Sequence, residues 1–177
     1  MTADVDLLTA DRSRDEGLVD ELVAVINAAY AIGEAGLWLD GWTRTNPTEI
    51  AEAIESGGML AATRQARLVG AAYVRPLDEE TADLGLVSTA PSSWGNGIGG
   101  ELVHVAEDLV RSREMTTVQL EVLVPTEWVH PAKERLRAWY TRLGYRVIRS
   151  APFDDIARHL APQLATPCRF LIFHKTL

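Results

Sequence analysis

The stretch SSWGNGIGGEL, residues 92–102, carries four glycines within six positions and runs straight into a helical pattern. Leu102, Val105, Ala106 and Leu109 recur there at the spacing of one helix face. A turn alone needs one glycine or two. The first N–H groups of a helix lack carbonyl partners, and together with the helix dipole they attract anions. Glycine also permits φ > 0 and removes the Cβ that would keep a phosphate away from the backbone. The stretch therefore predicts a backbone cradle for a pyrophosphate. A tight turn with no ligand is the plainer alternative.

The other segments limit which fold can carry such a loop. VDLLTA (5–10) reads as a strand. LVDELVAVINAAY (18–30) reads as a helix, with Leu18, Leu22, Val25 or Ile26, and Ala29 on one face. After the polar and aromatic connection AIGEAGLWLDGWTRT comes NPTEIAEAIESGG. There Asn46 is the cap, Pro47 the first helical residue and Glu49 the partner in a capping box, and Gly57 and Gly58 end the helix. MLAAT and LVGAAYVRPL, joined by RQAR, predict a hairpin, and ADLGLVST predicts a further strand. Beyond the glycine loop, TTVQLEVLV (116–124) is strand-like, and KERLRAWYTRLG is a helix closed by Gly144. YRVIRS and CRFLIFHKTL are the last strands, with a short helical stretch around DDIARHL between them. The order β-α-α-β-β-β-α-β-α-β-β predicts a single α+β (mixed α/β) domain over 1–177. Its centre would be a mixed, mostly antiparallel sheet of about seven strands flanked by helices.

Two loop types fit these glycines. Gly95-x-Gly97-x-x-Gly100 matches the dinucleotide-binding fingerprint, and Glu121 follows about 20 residues later, where a ribose-binding acid would stand. Against it, TAPSSW separates the loop from its strand, and Glu121 falls inside a strand. The sequence also resembles the GNAT N-acetyltransferase superfamily. That family's loop, Gln/Arg-x-x-Gly-x-Gly/Ala, binds the acetyl-CoA pyrophosphate, and here it reads Trp94-Gly95-Asn96-Gly97-Ile98-Gly99, followed by Gly100. Gly97 and Gly99 fall on the two glycine positions, while Trp94 replaces the Gln or Arg. LRAWYTRLGY (136–145) resembles the family's later helix, in which a tyrosine precedes Leu-Gly-Phe/Tyr, and Tyr140 takes that place. Where members often carry an asparagine, seven residues earlier, this chain has Lys133. The resemblance spans about residue 5 to 177. It implies acetyl-CoA as cosubstrate and an amine acceptor that is a small molecule or a peptide N-terminus. No pair of histidines has metal-ligand spacing and no Cys/His cluster occurs, so no metal is expected.

Acetyl transfer from a thioester to an amine needs a base for the amine, a donor to the thioester carbonyl and an acid for the thiolate. A phenol stays protonated at neutral pH, and the resemblance puts Tyr140 beside the sulfur as that acid. Asp83, 11 residues before Trp94, stands where several members carry a catalytic glutamate, and it would act through a water. Glu34 is a rival base or an amine anchor. It lies in the connection that forms an acceptor wall in the family, with Trp38, Asp40 and Trp42 nearby to favour a cation. The carbonyl donor would be a backbone N–H near Leu86 or Val87, whose side chains belong to the core. Each has a structural alternative: Tyr140 as packing, Asp83 as a solvent-facing strand residue, the tryptophans as core. Of the four histidines, His130 is expected in a surface loop, with a place lining the acceptor site as the alternative.

Bulk properties narrow the partners. A net charge of −8 argues against nucleic acid, because phosphates repel an acidic surface. One cysteine, Cys168, rules out an internal disulfide and fits a reducing, cytoplasmic setting, and its apolar neighbours read as core. The first residues lack the basic-then-apolar pattern of a signal peptide, and no apolar run has membrane length. Oligomeric state is left open, a homodimer included. A CoA-binding sensor of the same fold without turnover is the alternative to an enzyme.

Overall fold

The computed structural model describes residues 3–177. Its elements are β1 Asp4–Leu7, α1 Glu16–Gly33, α2 Pro47–Glu55, β2 Met59–Arg64, β3 Arg67–Pro76, β4 Thr81–Thr89, α3 Ile98–Ser112, β5 Thr117–Pro125, α4 Pro131–Arg142, β6 Arg146–Pro152, α5 Phe153–Ala157 and β7 Cys168–Thr176. The strands follow the order β1-β2-β3-β4-β5-β7-β6 in a seven-stranded sheet. The expected α+β class, strand number and order of elements are therefore found. No helix among the described residues is long and apolar enough to cross a membrane.

Contacts divide the chain into two compact units. The first comprises the chain up to Ala31, Thr43–Val118 and Leu177. It contains the antiparallel run β1-β2-β3-β4. Leu22 and Ile26 of α1 and Ile50 and Ile54 of α2 are fully buried, in one cluster with Met59, Ala61, Ala71 and Leu86. Each such Leu or Ile contributes about 1.5–3 kcal/mol by leaving water. The helix starts as expected: Asn46 accepts the Glu49 N–H at 3.1 Å, and Pro47 is the first helical residue. The return arm of the box differs, since Glu49 Oε2 accepts from the Thr45 hydroxyl at 3.0 Å.

The second unit comprises Ile32–Trp42 and Gln119–Thr176. It holds most of β5, all of α4, and the β6–β7 hairpin. Leu37, Leu123, Phe153, Ala157 and Cys168 form its core cluster. The connection after α1 joins this unit through backbone bonds, from Leu39 N–H to the Gln163 carbonyl at 2.8 Å and from Ala165 N–H to the Leu37 carbonyl at 2.9 Å. Cys168 is buried, as the sequence implies, and burial pushes its thiol up to about 11.

Gly57 and Gly58 end α2 for different reasons. Gly57 has φ +75° with open space around it, whereas a Cβ on Gly58 would run into the Val74 carbonyl oxygen. Gly57→Ala is expected to cost about 1 kcal/mol, the conformational penalty alone. Gly58→Ala should cost roughly 3 kcal/mol, because backbone must shift. Urea unfolding of both variants measures the difference; equal costs would contradict this packing.

Candidate active site

In the first unit, the glycine loop joins β4 to α3. A short 3-10 turn, Pro91–Ser93, leads into it. Gly95 and Gly97 both take left-handed backbone, at φ +79° and +82°, and Gly97 caps α3. A Cβ at Gly95, Gly97 or Gly100 would meet nothing within 4 Å. The open space thus lies beside the first turn of a 15-residue helix, where the N–H groups ahead of Gly100, which itself donates to the Gly97 carbonyl at 2.9 Å, have no intrahelical carbonyl partner. This is the geometry a pyrophosphate cradle requires. Trp94 adds no charge here, and its indole N–H donates back to the Thr89 carbonyl at 2.9 Å. The Asn96 amide likewise turns inward, to the Ser93 carbonyl at 3.0 Å.

The strand entering this loop is bulged. Ser88 pairs with Ala71 and Gly85 with Tyr73, so Leu86 and Val87 together oppose Ala72. Leu86 bears the distortion at φ +53°, a conformation that costs a residue with a Cβ about 1–3 kcal/mol. Its side chain is buried in the core, as expected, and holds the bulge in place. The bulge takes backbone out of the regular ladder where the sequence reading asks for a free N–H.

Asp83 lies two residues before Gly85 on the same strand, and a Cβ at Gly85 would lie 3.9 Å from its Oδ2. Arg75, across the β3–β4 ladder, donates from Nη2 to Oδ2 at 3.0 Å. The carboxylate is 16 % exposed and the guanidinium 56 %. Burial pushes the Asp83 carboxyl above its ordinary value, against the opposing pull of Arg75 and the weaker one of Arg44. Arg44 itself sits over the Tyr30 ring, 5.2 Å from its centroid. A carboxyl whose affinity for the proton is raised is a better proton acceptor than an ordinary one. Neither arginine was visible as a neighbour of Asp83 in the sequence.

The second unit holds Tyr140 and Glu34. Tyr140 is buried, packed against Trp139, Tyr145 and Phe173. Glu34 departs from the open anchor expected of it. It is 7 % exposed, and both its oxygens are engaged: Lys133 donates to Oε1 at 2.7 Å and the Trp38 indole to Oε2 at 2.6 Å. Lys133, where the family carries asparagine, thus reaches the connection after α1 and neutralises its carboxylate. Trp38 stacks on Trp42 with ring centroids 3.9 Å apart. His130 is buried, not in a surface loop. Its Nδ1 accepts the Ala132 N–H at 3.2 Å, which leaves Nε2 to donate to the Ala35 carbonyl at 3.0 Å. That pattern corresponds to the tautomer with the proton on Nε2.

The sequence profile of the acetyltransferase (GNAT) family matches residues 21–145. The chain belongs to the GNAT acetyltransferase family. Solved GNAT structures share its fold. An aminoglycoside 6′-N-acetyltransferase complexed with coenzyme A superposes with a TM-score of 0.73 at 19% identity, covering 98% of this chain and 96% of that one. The PaiA N-acetyltransferase from Thermoplasma acidophilum, in complex with coenzyme A, gives 0.72 at 16% identity with 100% of both chains covered. A ribosomal-protein-alanine N-acetyltransferase from Brucella melitensis gives 0.69 at 17% identity, covering 98% and 99%. A search of curated protein sequences gives no match. Within this GNAT protein, the loop, the bulge and Asp83 belong to the first unit and Tyr140 with Glu34 to the second.

The ion pair has a measurable signature. Lys133→Met strands a buried carboxylate and is expected to cost about 3–5 kcal/mol. Adding Glu34→Leu removes the stranded charge and should recover at least half of that loss, although the Trp38 N–H loses its acceptor. Urea unfolding of the two variants tests this. A double variant no more stable than Lys133→Met would mean that packing, not charge, governs the site.

Proposed function

We propose that this GNAT enzyme moves an acetyl group from acetyl-CoA directly to a primary amine, with no acyl-enzyme intermediate. The observation that carries the reading is the left-handed Gly97 cap, with open space beside the first turn of α3. That geometry suits a pyrophosphate and fits the coenzyme A bound to solved relatives. The cradle is assigned to Trp94, Gly95, Asn96, Gly97, Ile98, Gly99 and Gly100. Trp94 takes part through its backbone, because its indole is held at Thr89.

The transfer forms a C–N bond and breaks a C–S bond. An N–H at the Leu86–Val87 bulge polarises the thioester carbonyl as charge builds on its oxygen. The Tyr140 hydroxyl gives its proton to the departing thiolate. Asp83 takes the amine proton through a water, a task supported by its raised carboxyl. Glu34 is not assigned proton transfer here, because Lys133 neutralises it. It acts instead as a positioning residue for Trp38.

Release of free CoA thiol over a panel of amines tests the reaction, and calorimetry tests acetyl-CoA binding separately. Tyr140→Phe should lower kcat by roughly 10- to 1,000-fold and leave the Kd for acetyl-CoA unchanged. Full activity in that variant, with chemistry limiting the wild type, would remove Tyr140 from the mechanism. Tight acetyl-CoA binding with no thiol release on any amine would favour a CoA sensor.

The pH dependence tests Asp83. A base works only when deprotonated, so activity is lost as pH falls through its pKa. Because burial raises that pKa, the acid limb of kcat/KM should lie higher than an exposed aspartate would place it. Asp83→Asn should lower kcat/KM and abolish that limb. A limb that persists unchanged in the variant would exclude Asp83 as the base.

A further inference from the structure

We infer that the acetyl acceptor is an amine that also bears a carboxylate, of amino-acid or short-peptide type, and that a cavity at the start of α4 receives the carboxylate. This rests on Tyr140 acting as proposed above and adds the class of acceptor. The cavity measures about 340 Å³, and its lining includes Glu127, Trp128, Lys133, Glu134, Arg137 and Arg169. Pockets for small molecules span roughly 300–1,000 Å³.

The connection after α1 is fixed to this wall. Glu34 accepts from Lys133, His130 donates to the Ala35 carbonyl, and a Cβ on Gly36 would lie 3.7 Å from the Trp128 ring. The charge of Lys133 is spent on Glu34. Arg137 and Arg169 differ from it. Among the described residues, neither guanidinium makes an ion pair, and neither does the carboxylate of Glu127 or Glu134. Two guanidiniums and two carboxylates, all on exposed residues, therefore line one cavity with water rather than ionic partners.

A simple amine would leave both arginines unmatched. A simple anion would leave both glutamates unmatched. A molecule with a carboxylate and N–H donors matches both sets, and the guanidinium fork suits a carboxylate bidentately. Trp128, 41 % exposed, adds an apolar face for a side chain. Lys133, Arg137 and Tyr140 stand at i, i+4 and i+7 on α4, one side of the helix. Arg137 is about 4.5 Å along the axis from Tyr140, within the span of a short peptide.

The test pairs each acceptor with its amide. Dipeptides and the same dipeptides as C-terminal amides are compared by thiol release, and by calorimetry on the CoA-loaded protein. The free acids should be favoured at least tenfold in kcat/KM and in Kd. Arg137→Gln and Arg169→Gln should raise KM and Kd for the acids about tenfold, with little change for the amides or for acetyl-CoA. Acids and amides used equally well, or both weakened alike by the arginine variants, would overturn the inference. So would turnover of simple amines with no binding of dipeptides, although acetyl transfer would then stand. Selective, arginine-dependent binding of the acids without thiol release would keep the carboxylate site and overturn the transferase reading on which its acceptor role rests.

Discussion

A lysine and a glutamate, both more than nine-tenths buried, meet at 2.7 Å in the second unit. Desolvating two charges costs several kcal/mol per ion, and attraction offsets this only when the remaining hydrogen bonds are made. Here they are. Trp38 serves the second oxygen of Glu34, and no buried side-chain N or O among the described residues lacks a partner. Trp38 in turn stacks on Trp42 and meets the Phe153 edge. One ion pair thereby fixes the connection after α1 and ties it to α4, the helix that carries Tyr140.

The same economy of charge operates at Asp83 in the first unit. Burial raises its carboxyl while Arg75 and Arg44 pull the other way. Burial dominates because the Arg75 guanidinium is more than half exposed, where water screens its charge. The outcome is a carboxyl that holds its proton more readily than a free one. At the glycine loop Trp94 brings no charge and its indole N–H is tied to the Thr89 carbonyl, so attraction for an anion would have to come from backbone N–H groups. The bulge at Leu86 is likewise a backbone feature, with a buried leucine at φ +53°.

Local signals in the sequence were enough for the main elements. Asn46-Pro47 started α2 where expected, and the glycines at 95 and 97 took the left-handed backbone their spacing implied. The β2–β3 hairpin turns at RQAR, as its flanking apolar runs predicted, although Gln65 and Ala66 take φ +53° and +57° without being glycine or asparagine. Less visible features lacked a local signal. The bulge at Leu86 is one, since a leucine at φ +53° gives no sign of itself. Glu34 was misleading because its partner lies 99 positions away. The clue lay in Lys133, on the buried face of α4 seven residues before Tyr140, where a lysine must find an acid. His130 was assigned to a surface loop from its proline-flanked segment, yet it caps α4 and is buried in doing so.

Direct transfer is the central claim, and initial rates of thiol release over a grid of acetyl-CoA and amine concentrations test it most directly. Both reactants must be bound before the C–N bond forms, so double-reciprocal plots should intersect, and the intact mass of enzyme held with acetyl-CoA alone should not change. Parallel lines with an acetylated enzyme would contradict the account, because they are the signature of a covalent intermediate.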